Sequence, residues 1–175
     1  MSKYNNKIKN KNDILYNYLL SLSRNKILYT KFNLSDTFQN RIHLIFVHFS
    51  FICIKVKNDK NKIFKDFYQS MFNLIFKKIE INMRESGVGD TTINKNMRFL
   101  VKVFYKILLG CEKYNKMSFE EKNIFLYKHL SLNHDENTPK KNEIVKYFNK
   151  YEAFCFDLSS DSVLQGEINF NYKVD

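Results

Sequence analysis

Tryptophan is absent from this 175-residue chain, and proline occurs once and glycine four times. So little punctuation excludes a fold of many short strands joined by tight turns and favours long helices. Cysteine is also scarce. Cys53, Cys111 and Cys155 are odd in number, far apart and contain no CxxC pair, so reduced thiols are expected rather than a disulfide framework. The longest apolar run, Leu44–Val56, is interrupted by a histidine, a serine and a lysine and is too short to span a bilayer. The opening stretch, MSKYNNKIKNKND, is polar and rich in Lys and Asn. It has neither the apolar centre of a secretory signal nor the Arg/Ser bias of a transit peptide. A cytosol-like compartment is the expectation.

What is present is a globular composition, 44% hydrophobic and 27% charged, in a chain long enough to bury a core as one domain. The division expected is a basic polar segment over residues 1–12 and one helical domain over 13–175. Residues 151–175 hold one basic and five acidic residues, whereas residues 1–150 hold 28 basic and 13 acidic, a net of +15. A basic body with an acidic tail fits ribosomal RNA, an anionic membrane surface or an acidic protein face. Compositional drift towards Lys and Asn accounts for many of the same lysines.

Apolar residues recur with helical period along most of the chain. Asp13 is expected to cap a first helix with its stripe at Ile14, Leu15, Tyr18, Leu19 and Leu22. Asp36, with Gln39 three residues on, is expected to open a second through a capping box. That second helix carries two stripes. One runs through Phe38, Ile42, Ile45, Phe46, Phe49, Ile52, Cys53 and Val56, the other through Leu44, Val47, Phe51 and Ile54. Such a helix is either central or has one face awaiting a partner. The reading adopted here is a partly exposed groove beside Arg41 and His48, with Phe51 in it. A third helix is expected over about 60–85 and a fourth over about 91–114. A fifth begins at the Ser118/Glu121 capping box, and a sixth at Thr138-Pro139. The end of the chain, LQGEINFNYKVD, alternates as a short extended segment. The fold class is an all-α bundle of about six helices.

Between the third and fourth helices lies SGVGD. A phosphate-binding loop would follow a strand and end in Gly-Lys-Ser/Thr; this segment does neither. Gly87 fits the left-handed residue that ends a helix, Gly89 a tight reversal, and Asp90 a carboxylate cap on the next helix. The expected element is an antiparallel helix hairpin. Arg84, Glu85, Asp90 and Lys95 are expected to crowd its tip, as an ion cluster or a recognition site.

The stretch Met83–Tyr105, through Arg84, Glu85, Gly87, Val88, Gly89, Asp90, Lys95, Met97, Phe104 and Tyr105, resembles the signature of the ubiquinol–cytochrome c chaperone family. The resemblance extends upstream to Asp36, Thr37, Phe38, Arg41 and His48 and downstream to Leu164–Phe170. It implies a non-enzymatic assembly factor for the respiratory bc1 complex, and with so compact a chain a bacterial-type member, cytoplasmic and peripheral at the inner membrane, ahead of the mitochondrial matrix side. The partners implied are newly made cytochrome b or other bc1 assembly components, with a second assembly factor as a further candidate; the basic body adds the ribosome or an anionic membrane surface. The partner-binding residues expected are Arg41, His48 and Phe51 at the groove and Arg84, Asp90 and Lys95 at the hairpin tip, with Gly87 and Gly89 as the turn.

No catalytic residues, cofactor or metal are expected. His43 and His48 are five apart and do not share a helix face. His129, His134, Asp135 and Glu136 read as a helix end and solvated loop, and the cysteines as small core residues. The alternative is a basic helical RNA- or ribosome-binding module, for which neither a helix-turn-helix nor a glycine–aromatic stacking motif is visible.

Overall fold

A computed structural model describes residues 2–58, 64–132 and 141–172. The elements, in order, are α1 (Ser2–Ser23), α2 (Lys26–Thr30), α3 (Phe38–Asn58), α4 (Phe64–Glu85), α5 (Asp90–Lys113), a 3-10 turn (Tyr114–Lys116), α6 (Phe119–His129), α7 (Lys141–Asp157) and α8 (Ser160–Gln165). Six are long helices, and the fold is an all-α bundle. The described residues contain no strand beyond an isolated bridge between Leu34 and Leu132.

Helix α3 is the axis of the bundle. It packs against α1, α4, α5, α7 and α8, and every residue from Ile42 to Ile54 is buried. Its two apolar stripes therefore have two sets of neighbours. Phe46 and Phe49 meet Phe104 of α5, while Phe51 meets Phe148 and Tyr151 of α7 and Tyr114 beyond α5. The expected open groove does not exist: Leu44 and Val47 are fully buried, Phe51 is 1% exposed and Ile54 8%. Five neighbouring helices are enough to enclose a helix that is apolar all round.

Other local expectations are also corrected. Asp13 does not start α1, which runs through it. Asp36 does not cap α3; the Thr37 hydroxyl accepts the Asn40 N–H at 3.1 Å, and the Asp36 carboxylate is held by Arg41 instead. The short α2, capped by Asn25, and α8, capped by Ser159, were not anticipated. Leu164 and Gln165 accordingly belong to a helix, and the chain runs without regular structure from Glu167 to Tyr172. The Ser118/Glu121 capping box is present in full. Thr138-Pro139 lies outside the described residues.

Two buried polar devices fasten the bundle. The Asn40 side chain donates to the Ser35 and Ser131 carbonyls at 2.7 and 2.8 Å and accepts the Ser131 N–H at 2.9 Å. One amide thus ties the approach to α3 to the exit from α6, with its polar atoms satisfied despite 1% exposure. In the second, His48 Nδ1 lies 2.7 Å from the Leu44 carbonyl and Nε2 lies 2.9 Å from the Tyr147 hydroxyl. A carbonyl only accepts, so Nδ1 carries the proton and Nε2 accepts from Tyr147. Rings of Tyr147, Phe148 and Tyr151 enclose the imidazole.

Candidate functional site

The hairpin between α4 and α5 is built by its backbone. The Val88 N–H reaches the Met83 carbonyl and the Gly87 N–H the Arg84 carbonyl, at 3.1 and 2.9 Å. This is the paired closure of a left-handed helix end, and Gly87 supplies the required φ of +77°. Gly89 has a different role from the one expected. With φ −69° and ψ 150° it is the extended N-cap residue of α5, a conformation open to any residue. A Cβ there would meet nothing within 4 Å.

Asp90 is the first residue of α5 and makes no cap. Its carboxylate instead accepts from the Arg84 guanidinium, which also takes Glu80 through Nε and Nη2 at 3.1 and 2.9 Å. Arg84 therefore bridges the last turn of one helix and the first of the next. Both acids raise its pKa, Glu80 most. Lys95 does not join this cluster; it is exposed and lines an open depression on the outer face of α5 with Thr91, Asn94, Arg98, Phe99 and Lys102.

The other proposed contacts are placed elsewhere. Arg41 is a bidentate partner of Asp36, at 2.7 and 2.8 Å, on the surface. His48 and Phe51 are buried in the α3–α7 packing, so no partner reaches them in this conformation. Burial lowers the His48 pKa to about 4 against a hydrogen bond to Leu44 that raises it. His43 sits at the α3–α6 contact, with Nδ1 2.6 Å from the His129 carbonyl, and burial lowers its pKa. His129 is brought to about 4 by burial, with His43, Lys128 and Lys106 contributing. The neutral rings are packing elements with satisfied or dry edges.

Cys53, Cys111 and Cys155 are all buried, and burial raises each thiol, Cys155 to about 12. Among the described residues no three His, Cys, Asp or Glu side chains converge as metal ligands; His134, Asp135 and Glu136 lie outside them. No described helix is long and apolar enough to cross a membrane.

Sequence reasoning missed the outer face of α5. Residues 91–111 contain no acid, and Lys95, Arg98, Lys102 and Lys106 are all exposed there. Phe99 and Leu109, 56% and 58% exposed, share the face. The signal was legible as a second periodicity, of cations at 95, 98, 102 and 106, opposite the core stripe. Gly110, on the flank of the same helix, brings α6 close: a Cβ there would lie 2.1 Å from the Phe125 ring.

The family model described as "Ubiquinol-cytochrome C chaperone" matches residues 30–170. Among solved structures, the Cbp3 homologue from Brucella abortus is similar to this chain with a TM-score of 0.80 at 18% identity, covering 98% of this chain and 94% of that one. At that identity the likeness bears on the fold. No curated protein sequence matches the chain significantly.

Proposed function

The chain belongs to the ubiquinol–cytochrome c chaperone family, an assembly-chaperone role in forming the bc1 complex, and from that premise we propose that its client is newly made cytochrome b. The observation that carries this reading is the match over residues 30–170, which takes in the central helix, the α4–α5 hairpin and Phe170, whose ring packs on Tyr147, Tyr151 and Phe154 of α7. The chaperone works without catalysis, as a binding surface. It acts at the cytoplasmic side of the bacterial inner membrane, where cytochrome b emerges from the ribosome.

The client contact we assign is the hairpin tip. Arg84 and Asp90 form an ion pair on its surface, and Gly89 leaves the backbone beside them uncovered. A glycine that neither φ nor packing requires permits close approach of another chain's backbone.

A tagged copy recovered from membranes after a short isotope pulse tests the proposal. Labelled cytochrome b should be retained, and retained less with Arg84→Ala or Asp90→Ala. Recovery of other bc1 components without cytochrome b would leave the assembly role in place and remove this client. Recovery of RNA alone would favour the nucleic-acid-binding alternative.

A further inference from the structure

The outer face of α5 is built like a membrane-surface helix. Its inner face is fixed in the core by Ile93, Leu100, Phe104, Ile107 and Cys111, all buried. The face turned away from the bundle presents Lys95, Arg98, Lys102 and Lys106, each exposed. No ion pair to any of these four is present among the described residues. At a rise of about 1.5 Å per residue the four cations extend over about 16 Å. Phe99 stands among them and Leu109 less than one turn beyond Lys106, both more than half exposed. Tyr105 lies on the edge of the face, its ring against Phe72 and Phe104.

The chemistry of the occupant follows from three properties of this face. Its charge has one sign, so the partner is anionic. It is the outer side of a single helix, marked only by the wide-open depression around Lys95, Arg98 and Phe99, so a broad surface fits it better than a peptide laid into an enclosed cleft. Its apolar members include Leu109, which has no π-face and cannot stack on a base as single-stranded nucleic acid requires. Cations that meet phosphates, with an aromatic and an aliphatic side chain placed to enter the layer beneath, are the arrangement of an interfacial helix. We propose that the Lys95–Leu109 face of α5 docks the protein on an anionic phospholipid bilayer, with Phe99 and Leu109 inserting below the headgroups. This rests on the reading that the chaperone acts at the membrane and names the element that touches it. The hairpin tip adjoins the N-terminal end of the same helix, so docking would hold Arg84 and Asp90 at the membrane surface, where a membrane-protein client is made.

Flotation of purified full-length protein with vesicles of phosphatidylglycerol and phosphatidylcholine, against phosphatidylcholine alone, tests the proposal. Binding is expected only to the anionic vesicles and should fall steeply with added salt. A Phe99→Ser/Leu109→Ser variant should lose affinity by about tenfold or more. Lys95→Gln/Arg98→Gln/Lys102→Gln should do likewise, while Lys31→Gln/Lys65→Gln/Lys77→Gln, with the same charge removed from other exposed positions, should bind nearly as well as the parent. Equal loss in both triple variants, or no effect of the serine variant, would overturn the assignment to α5. Failure of the parent to bind anionic vesicles would overturn lipid docking altogether, as would tight binding of a single-stranded oligonucleotide in its place. Neither result bears on the client, which the pulse-labelled recovery tests separately.

Discussion

Phe51 shows how one side chain decides between two views of the central helix. Had it lined a client groove, a polar replacement would have spared the fold and abolished binding. It is instead 1% exposed, with rings of Tyr114, Phe148 and Tyr151 around it. Phe51→Ser removes that packing and buries a hydroxyl, a loss of about 3–5 kcal/mol. The expected outcome is a large drop in melting temperature by circular dichroism; an unchanged melt would return the residue to the surface. Its neighbour His48 yields a pH dependence. The folded-state pKa of about 4 lies below the unfolded value of about 6.5, so the unfolded chain binds a proton that the folded one refuses. Stability is therefore full above pH 6.5, declines as the pH falls from about 6.5 to about 4, and loses nothing further from this group below that. Denaturant titrations should show the decline, and it should be shallower in His48→Gln. An identical pH profile in that variant would mean that the imidazole is not held neutral by the fold.

At the scale of elements, the α4–α5 hairpin was legible because its signal is local. Gly87 after a periodic run, followed by Asp90 and a second periodic run, admits few backbone solutions. What the pattern did not distinguish was the glycines from one another, since φ is a property of the folded turn. Gly87→Ala places a Cβ at φ +77° and should cost about 1–2 kcal/mol. Gly89→Ser meets no neighbour and offers the N-cap hydroxyl that α5 lacks, so stability should hold or rise by roughly a few tenths of a kcal/mol. The same serine crowds the uncovered tip and should weaken client recovery. Loss of stability in Gly89→Ser, or gain in Gly87→Ala, would contradict the roles given to the two positions. The other elements were less legible for stated reasons. The Lys/Asn-rich opening has too few apolar residues to show a period, so α1 was begun at Asp13. Asp36 and Thr37 are both capping residues, and the choice fell to Thr37 because Arg41 holds the Asp36 carboxylate. Asn40 gave no signal, because two of its three bonds go to Ser131, 91 residues away along the chain.

At the scale of the molecule, a helix apolar on two sides shows in the sequence that something covers both. Only the packing of α1, α4, α5, α7 and α8 around α3 shows that the chain itself does so. The candidate interaction surface accordingly shifts from the middle of α3 to the hairpin tip and the outer face of α5, where charge and exposed apolar area coincide. The net charge of residues 1–150 was read correctly in amount but not in place, because lysines on a solvated face and lysines on a docking face look alike until the helix is oriented. With the core closed, partners are left the surface, and the two proposals together put a client at one end of α5 and lipid along its flank. The most direct measurement is a reduced-minus-oxidised difference spectrum of membranes from a strain lacking this chain. The account predicts loss of the bc1-associated b-type haem signal while the haem signals of other oxidases persist. A normal b-type haem signal, with bc1 complex assembled in full, would contradict it.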